Sequence, residues 1–281
     1  MHDSYIIKIE NLCVQFALQT NVVEAVRGVS FSIKDKETLA LVGESGSGKS
    51  VTAMSILRLN EYSGGTYPSG TIKFKNKNGN IIDILSLDKQ ELRKVRGNEI
   101  AMIFQEPMSS LNPVLTIGLQ IIESIILHQN VDYTKGKEIA VNLLNLVRIP
   151  EPAKQLNQYP HHFSGGMRQR LMIAMALSCK PKLLIADEPS TALDVTIQAQ
   201  IIDLIRLLQN EVGMAVLFIT HDMGVVAEVA DRVIVMYEGN IVEEGPVKEI
   251  FYQPTHEYTK RLISAVPKLG SMKGKELPEK F

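Results

Sequence analysis

The octapeptide GESGSGKS at residues 43–50 constrains this chain more than any other stretch, because it fits the pattern G-x-x-x-x-G-K-[ST] at every specified position. Gly43, Gly46 and Gly48 lack a Cβ, so the backbone there can adopt positive φ and direct its N–H groups inward around an anion. A short apolar run of strand formers precedes the loop, and a stretch typical of a helix follows it. Strand, glycine loop and helix in this order place the positive end of a helix at a bound phosphate.

The side chains of the loop suit phosphates bound together with magnesium. Lys49 can reach the phosphates as a point charge, and the Ser50 hydroxyl suits a Mg²⁺ ion that bridges them. A glycine-rich turn that binds nothing is the alternative, and the strand and helix on either side disfavour it. The predicted phosphate-binding residues are Gly43, Glu44, Ser45, Gly46, Ser47, Gly48, Lys49 and Ser50.

Composition excludes several classes of protein. The 281 residues, 45% of them hydrophobic, suffice for one large domain or two small ones with a packed core. A net charge of −1 gives no general basic surface, so we expect no nucleic-acid partner. Cys13 and Cys179 lie too far apart in sequence to indicate a zinc site or a disulfide framework. The N-terminus lacks signal-peptide features and no apolar run reaches the ~18 residues of a membrane span, so we expect a cytoplasmic location.

Hydrophobic periodicity predicts an α/β core with a β-rich addition before it and a helical insert from 107 to 163. Asn78 and Gly79 predict a hairpin turn, and Asp88 with Glu91 predicts a capping box for a helix that ends at Gly97. Further helices are predicted at 50–59, 167–179, 196–211 and 222–230. The predicted strands are 6–12, 22–33, 38–42, 71–75, 81–85, 99–105, 183–187, 215–220 and 232–237.

Two further motifs carry chemistry. LLIADE (183–188) is an apolar strand that ends in two carboxylates: Asp187 suits a Mg²⁺ shell, and Glu188 can accept a proton from an attacking water. Taken alone, this motif could equally be a strand followed by a solvated acidic turn. FSGGMRQR (163–170) places a serine and two glycines before a helix, which creates a second helix N-terminus able to bind an anion, or else an ordinary glycine cap.

Together with STALD (190–194) and His221, these motifs resemble the nucleotide-binding domain of ATP-binding cassette (ABC) transporters over roughly residues 5–265. The resemblance implies an α/β P-loop NTPase fold with an antiparallel β subdomain and a helical subdomain at about 107–178. It implies one ABC ATP-binding domain over 1–265, followed by a polar tail or linker over 266–281. It also implies that the chain is an ATPase with ATP and Mg²⁺ as its ligands.

The resemblance assigns catalytic and metal-binding roles residue by residue. Glu188 matches the general base, His221 the switch histidine, and Gln105 the Q-loop glutamine that senses Mg²⁺ and the membrane partner. The residues assigned to the metal are Ser50, Gln105 and Asp187.

It assigns further nucleotide contacts to the family's signature sequence, which binds the γ-phosphate of ATP held by an opposing domain. Asp194 ends the D-loop, and Phe16 lies where the family often stacks an aromatic ring on adenine, although Phe16 could instead be a core residue. Met167 replaces the glutamine that is common at the end of the signature. The signature residues are Ser164, Gly165, Gly166 and Met167.

Longer stretches resemble the branch of this family that imports peptides and nickel, among them IFQEPMSSLNPVLTIG (103–118) and YQPTHEYTKRLISAVPKL (252–269). RIPEP (148–152) and ADEPSTALDVTIQAQI (186–201) are similar to the N-terminal half of glutathione-import ATPases, which carry two cassettes. We therefore expect an ATPase subunit of a peptide importer on the cytoplasmic side of the inner membrane, and the first half of a tandem ATPase remains a hypothesis. The implied partners are transmembrane permease subunits, a second ABC domain and, indirectly, an extracytoplasmic substrate-binding protein.

Three alternatives remain. The cargo could be nickel or a metal chelate. A soluble ABC ATPase of the DNA-repair type is disfavoured, because only about 115 residues without sustained heptads separate Lys49 from Ser164. A non-hydrolysing regulatory cassette is disfavoured by the presence of Glu188 and His221.

Overall fold

The computed structural model describes residues 5–17, 21–105, 110–189 and 194–265. Each predicted strand has a counterpart there, and one strand, β10, has none among the predictions. The strands are β1 (Tyr5–Ala17), β2 (Val22–Lys34), β3 (Thr38–Val42), β4 (Gly65–Lys75), β5 (Ile81–Asp83), β6 (Ile100–Ile103), β7 (Leu183–Asp187), β8 (Ala215–Ile219), β9 (Arg232–Tyr237) and β10 (Asn240–Pro246). The α-helices are α1 (Lys49–Ile56), α2 (Lys89–Val95), α3 (Ile117–Gln129), α4 (Tyr133–Leu146), α5 (Pro152–Gln155), α6 (Gly165–Leu177), α7 (Val195–Val212), α8 (Met223–Val229), α9 (Val247–Tyr252) and α10 (Glu257–Ser264).

Within the described ranges, six strands form a sheet in the order β10-β9-β3-β8-β7-β6, parallel except for the edge strand β10. The central strand β3 is buried along its whole length, as a strand covered on both faces must be. The glycine loop follows β3, Glu188 follows β7 and His221 follows β8. Because the carboxyl ends of parallel strands meet at one edge, the topology brings three distant motifs together there.

Four strands of the described chain form a second, antiparallel sheet in the order β2-β1-β4-β5. The predicted hairpin between β4 and β5 is confirmed, and its turn is closed by Asn76, whose Oδ1 accepts hydrogen bonds from the N–H groups of Asn78 and Asn80, both at 3.0 Å. This sheet packs over α1 and one face of the larger sheet, with Ile7, Ile56 and Leu41 in one buried cluster. The antiparallel sheet therefore covers α1, the helix that follows the glycine loop.

The helical segment packs on the other face of the large sheet. Leu183 and Ile185 of β7 belong to the core under the antiparallel sheet, whereas Leu184 and Ala186 belong to the core that α3, α4, α6 and α7 share. This alternation follows from the two-residue period of a strand. The first residues of the predicted insert, 107–109, lie outside the described part of the chain, as does the predicted tail from 266. The domain boundaries stay a prediction.

Helix boundaries follow local chemistry. The capping box is confirmed, because Asp88 accepts hydrogen bonds from the first turn of α2 while the Glu91 side chain reaches back to the Asp88 N–H. The first helix ends at Ile56 rather than at 59, because Arg58 takes a left-handed conformation with φ of 51° and a 3₁₀ turn follows. None of the helices in the described part of the chain is long and apolar enough to cross a membrane.

Candidate active site

Two glycines of the loop are required by close backbone contacts as well as by their φ angles. A Cβ on Gly43, where φ is 149°, would lie 2.2 Å from the Met236 carbonyl oxygen. A Cβ on Gly48, where φ is 100°, would lie 2.6 Å from the carbonyl oxygen of Ala25. Gly46 also has positive φ, at 80°, but a Cβ there would meet nothing within 4 Å. Met236 of β9 and Ala25 of β2 therefore pack directly against the glycine loop.

The different surroundings of Gly43 and Gly46 give a prediction about stability. We expect Gly43→Ala to lower the free energy of unfolding by about 3 kcal/mol, since it combines left-handed backbone strain with overpacking against a carbonyl. The matched variant Gly46→Ala carries the strain without the clash and should cost about 1 kcal/mol. Urea unfolding of both variants measures the difference. Equal losses would show that the contact with Met236 does not constrain the loop.

Lys49 is buried at the start of α1 and its ammonium is held by the loop itself. Nζ donates to the carbonyl oxygens of Gly43 and Glu44, both at 2.8 Å, and to Ser47 Oγ at 3.4 Å. Burial lowers the pKa of Lys49, and the nearby Glu188, Asp187 and Glu44 carboxylates oppose that shift. The loop thus holds the partly desolvated ammonium group of Lys49 with neutral acceptors. The charged oxygens of a bound anion would attract this group more strongly.

Ser50 and Asp187 form a pair of oxygen donors beside the loop. Ser50 Oγ donates to Asp187 Oδ1 at 3.2 Å, and Asp187 is 7% exposed. Burial raises the pKa of Asp187, and the hydrogen bond from Ser50 opposes the shift. A hydroxyl and a desolvated carboxylate are hard ligands that suit Mg²⁺, whose charge would stabilise the ionised carboxylate. In the described part of the chain no cluster of three or more His, Cys, Asp or Glu residues could hold a metal by itself. Mg²⁺ in proteins commonly takes one or two carboxylates together with substrate phosphate oxygens and water.

Glu188 is the centre of a hydrogen-bonded cluster. Gln105 Nε2 donates to Glu188 Oε2 at 3.0 Å, and His221 Nδ1 lies 3.1 Å from Glu188 Oε1. The backbone of Glu188 is left-handed, with φ of 47°, and its N–H donates to the Ile219 carbonyl of β8 at 2.9 Å. In a regular strand, successive side chains point to opposite faces, and the left-handed residue interrupts that pattern at the end of β7. Asp187 therefore bonds to Ser50 and Glu188 bonds to Gln105, and both of these partners line one cleft.

That cleft has a volume of about 620 Å³, and half of the predicted site residues line it. Ala25 and Val51 also line it and are not among the predicted residues. The lining includes the backbone of the glycine loop, one lysine, and the Glu188 carboxylate with the Gln105 amide and the His221 imidazole that bond to it. The lining residues are Ala25, Glu44, Ser45, Gly46, Gly48, Lys49, Ser50, Val51, Gln105, Glu188 and His221.

The signature residues lie outside this lining, at the N-terminus of α6. Ser164 caps that helix, accepting a hydrogen bond from the Met167 N–H at 3.4 Å, and Asp194 caps α7 in the same way through the Ile197 N–H at 2.9 Å. The two helix starts touch, since a Cβ on Gly166 would lie 2.9 Å from Ile197 Cγ2. The other predicted D-loop residues, 190–193, lie outside the described chain.

Phe16 also lies outside the lining of the cleft. It is half-buried near the end of β1, opposite Val23 and Gly65, and packs against the core beneath the antiparallel sheet. The adenine-stacking role stays a prediction.

One contact of the loop has no counterpart in the sequence-based predictions. The Glu44 N–H donates to the hydroxyl of Tyr258, in α10, at 2.8 Å. No local pattern could reveal this contact, because 214 residues separate the two partners.

Comparison with known proteins places these motifs in context. The sequence pattern of the ABC transporter family matches residues 26–191, and that of the oligopeptide/dipeptide transporter C-terminal region matches residues 242–280. The chain is 56% identical to the glutathione import ATP-binding protein GsiA of Pectobacterium atrosepticum and 55% identical to that of Escherichia coli O157:H7. Each alignment spans 98% of this chain but 44% of the relative, so the chain covers less than half the length of these curated relatives.

Solved structures give the same comparison in three dimensions. A dimeric post-hydrolysis state of the ATP-binding cassette MJ0796 bound to ADP and Pi has a TM-score of 0.74 at 28% identity, over 86% of this chain and 98% of that one. The structure of cbiO1 from Clostridium perfringens, part of the ABC transporter complex cbiONQ, has a TM-score of 0.73 at 27% identity, over 89% of this chain and 92% of that one.

Proposed function

The chain belongs to the ABC transporter family of ATP-binding proteins, and from this premise we propose that it is the ATP-hydrolysing subunit of an importer for peptides, of the di-/oligopeptide or glutathione type. The single observation that supports hydrolysis best is the position of Glu188. Its carboxylate lines the same cleft as the glycine loop, and Gln105 and His221 engage its two oxygens.

Binding begins at the glycine loop. The N–H groups of the loop and the start of α1 form a positive end that favours the phosphates of ATP. Lys49 Nζ has three donors, so it can keep its bond to the Gly43 carbonyl and exchange the neutral Glu44 carbonyl for a phosphate oxygen, which is a stronger acceptor because it is charged. Ser50 and Asp187, with Gln105 nearby, would hold Mg²⁺, and the ion would supply positive charge that neutralises the phosphates.

Hydrolysis requires a base that is aimed at water on the γ-phosphate side. Gln105 and His221 bond to the two oxygens of the Glu188 carboxylate and restrain its plane, so that it can orient a water molecule and accept its proton. His221 follows β8 and lines the same cleft, and its side chain is 64% exposed, so it can contact the γ-phosphate of a bound nucleotide. Positioned charges of this kind supply most of the catalysis in phosphoryl transfer.

A second cassette is required by this proposal. The start of α6, with Ser164, Gly165 and Gly166, offers an anion-binding helix N-terminus that does not line the cleft of its own chain. In a head-to-tail pair, each signature segment would close over the γ-phosphate held by the other chain. The dimeric cassettes among the similar structures support this arrangement.

The peptide class rests on the C-terminal match and on the glutathione-import relatives. We infer permease subunits in the membrane as direct partners, an extracytoplasmic binding protein as an indirect one, and a peripheral position on the cytoplasmic side of the inner membrane. The proposed docking site for a permease helix comprises Gln105 and the described part of the helical segment, which begins at residue 110.

Reconstitution tests the proposal. The chain is combined in liposomes with the permease subunits, the binding protein and any second ATPase from its own gene neighbourhood, and phosphate release is measured with glutathione, a tripeptide or a nickel chelate inside the binding protein. We expect peptide or glutathione to stimulate hydrolysis severalfold, with the Glu188→Gln assembly as the background. Stimulation by the nickel chelate alone would contradict peptide import, and release no faster than that of Glu188→Gln would contradict the ATPase assignment.

A further inference from the structure

The peptide group between Gly43 and Glu44 is held from both sides. Its carbonyl oxygen accepts from Lys49 Nζ at 2.8 Å, and its N–H donates to the Tyr258 hydroxyl at 2.8 Å. The carbonyl and the N–H of one trans peptide point in opposite directions, so rotation of this unit would break both bonds. The phosphate loop is therefore joined through one peptide plane to the C-terminal helix α10.

The orientation of this peptide depends on its hydrogen bonds. Gly43 precedes the peptide, and a glycine imposes the smallest steric barrier to rotation of the adjoining peptide. The loop's own hydrogen bonds place Lys49 on the carbonyl side only. An acceptor on the N–H side therefore adds a second restraint on the orientation of the peptide, and among the described residues Tyr258 provides it.

Tyr258 is built to hold that position. It is 2% exposed, its ring centroid lies 4.4 Å from that of Tyr237, and Arg261 Cζ lies 5.7 Å from its ring. The ring belongs to a buried cluster with Val42, at the end of the strand that leads into the loop. Its hydroxyl therefore cannot leave the Glu44 N–H without repacking this cluster.

The start of α10 is tied to the rest of the C-terminal region. Both oxygens of the Glu243 carboxylate, on β10, accept hydrogen bonds there: Oε1 from the Thr255 N–H at 2.7 Å and hydroxyl at 2.9 Å, and Oε2 from the His256 N–H at 3.0 Å. The result is a continuous connection from β10 through α10 and Tyr258 to the loop.

We infer that Tyr258 is a positioning residue for ATP binding, which holds the Gly43–Glu44 peptide so that the Lys49 ammonium stays aimed at the phosphate site. The C-terminal region is then part of the nucleotide site and not only an addition to the fold. This inference rests on the proposed role of the loop in binding ATP.

The test is Tyr258→Phe, which keeps the ring and removes the acceptor. Loss of one hydrogen bond predicts a three- to tenfold rise in the Kd for a non-hydrolysable ATP analogue, and an equal rise in KM, with kcat changed less than twofold. Tyr237→Phe is the matched control, since it removes a hydroxyl from the neighbouring ring without removing a bond to the loop, and its Kd should equal that of the wild type.

A coupling cycle isolates the hydrogen bond. Glu44→Pro removes the N–H donor, so in that background Tyr258→Phe should no longer raise the Kd. An unchanged Kd in Tyr258→Phe, an equal rise in Tyr237→Phe, or a full additional rise in the Glu44→Pro background would each overturn the inference. If Tyr258→Phe does not fold, Glu243→Gln, which weakens the anchor of α10, must raise the Kd in the same direction. A wild-type chain that binds no ATP would instead overturn the proposed function.

Discussion

Replacing Glu188 by glutamine is expected to reduce ATP hydrolysis by about 10²- to 10⁴-fold, the usual contribution of a positioned general base. Glutamine has nearly the same shape but cannot accept a proton at neutral pH. Its amide oxygen can still accept from Gln105, and its amide nitrogen can donate to His221 Nδ1 in the tautomer that leaves that atom unprotonated. The cluster therefore stays satisfied while the base is lost.

The same variant should accumulate in an ATP-bound dimer, because binding closes the pair and hydrolysis no longer opens it. Phosphate release and size-exclusion chromatography with ATP measure the two effects. Glu238→Gln is a matched control: Glu238 also follows a parallel strand, also has φ of 47°, and is exposed outside the lining of the cleft. A normal hydrolysis rate in Glu188→Gln would remove Glu188 from its proposed role.

Replacing Lys49 by alanine is expected to weaken ATP binding by about 10²-fold or more, since charge-assisted hydrogen bonds are worth about 1.5–3 kcal/mol each. Two effects add. The phosphates lose their cation, and the carboxylates of Glu44, Asp187 and Glu188 lose the positive charge that lies among them. The remaining negative charge then opposes an anionic ligand.

Isothermal titration with a non-hydrolysable ATP analogue and Mg²⁺ measures the effect of Lys49→Ala. Lys135→Ala serves as the control, because Lys135 is an exposed lysine of α4 that is paired with Glu138 at 2.8 Å and lies outside the lining of the cleft. Comparable affinity in the Lys49 variant and the wild type would show that the loop does not bind ATP through this side chain.

Short-range patterns predicted most of the secondary structure, for identifiable reasons. The Asn78–Gly79 turn and the Asp88 capping box depend on residues a few positions apart, so their hydrogen bonds are encoded locally. The strand, glycine loop and helix around Lys49 were predictable in the same way. Helix ends were harder to predict. The left-handed conformation of Arg58 shortens the first helix, and no neighbouring residue in the sequence signals it.

The chain's motifs determined by themselves which chemical groups are present: a glycine loop with a lysine, two carboxylates after an apolar strand, and a histidine after another. Only the tertiary structure decided how they meet. The parallel order of β3, β8 and β7 places the three motifs at one edge, and the left-handed turn at Glu188 directs its carboxylate to Gln105 and His221. The contact between Glu44 and Tyr258 was likewise invisible beforehand. The physical reason is the distance along the chain between the partners. Local sequence patterns indicate hydrogen bonds between residues a few positions apart, whereas tertiary packing brings together residues that lie far apart in sequence.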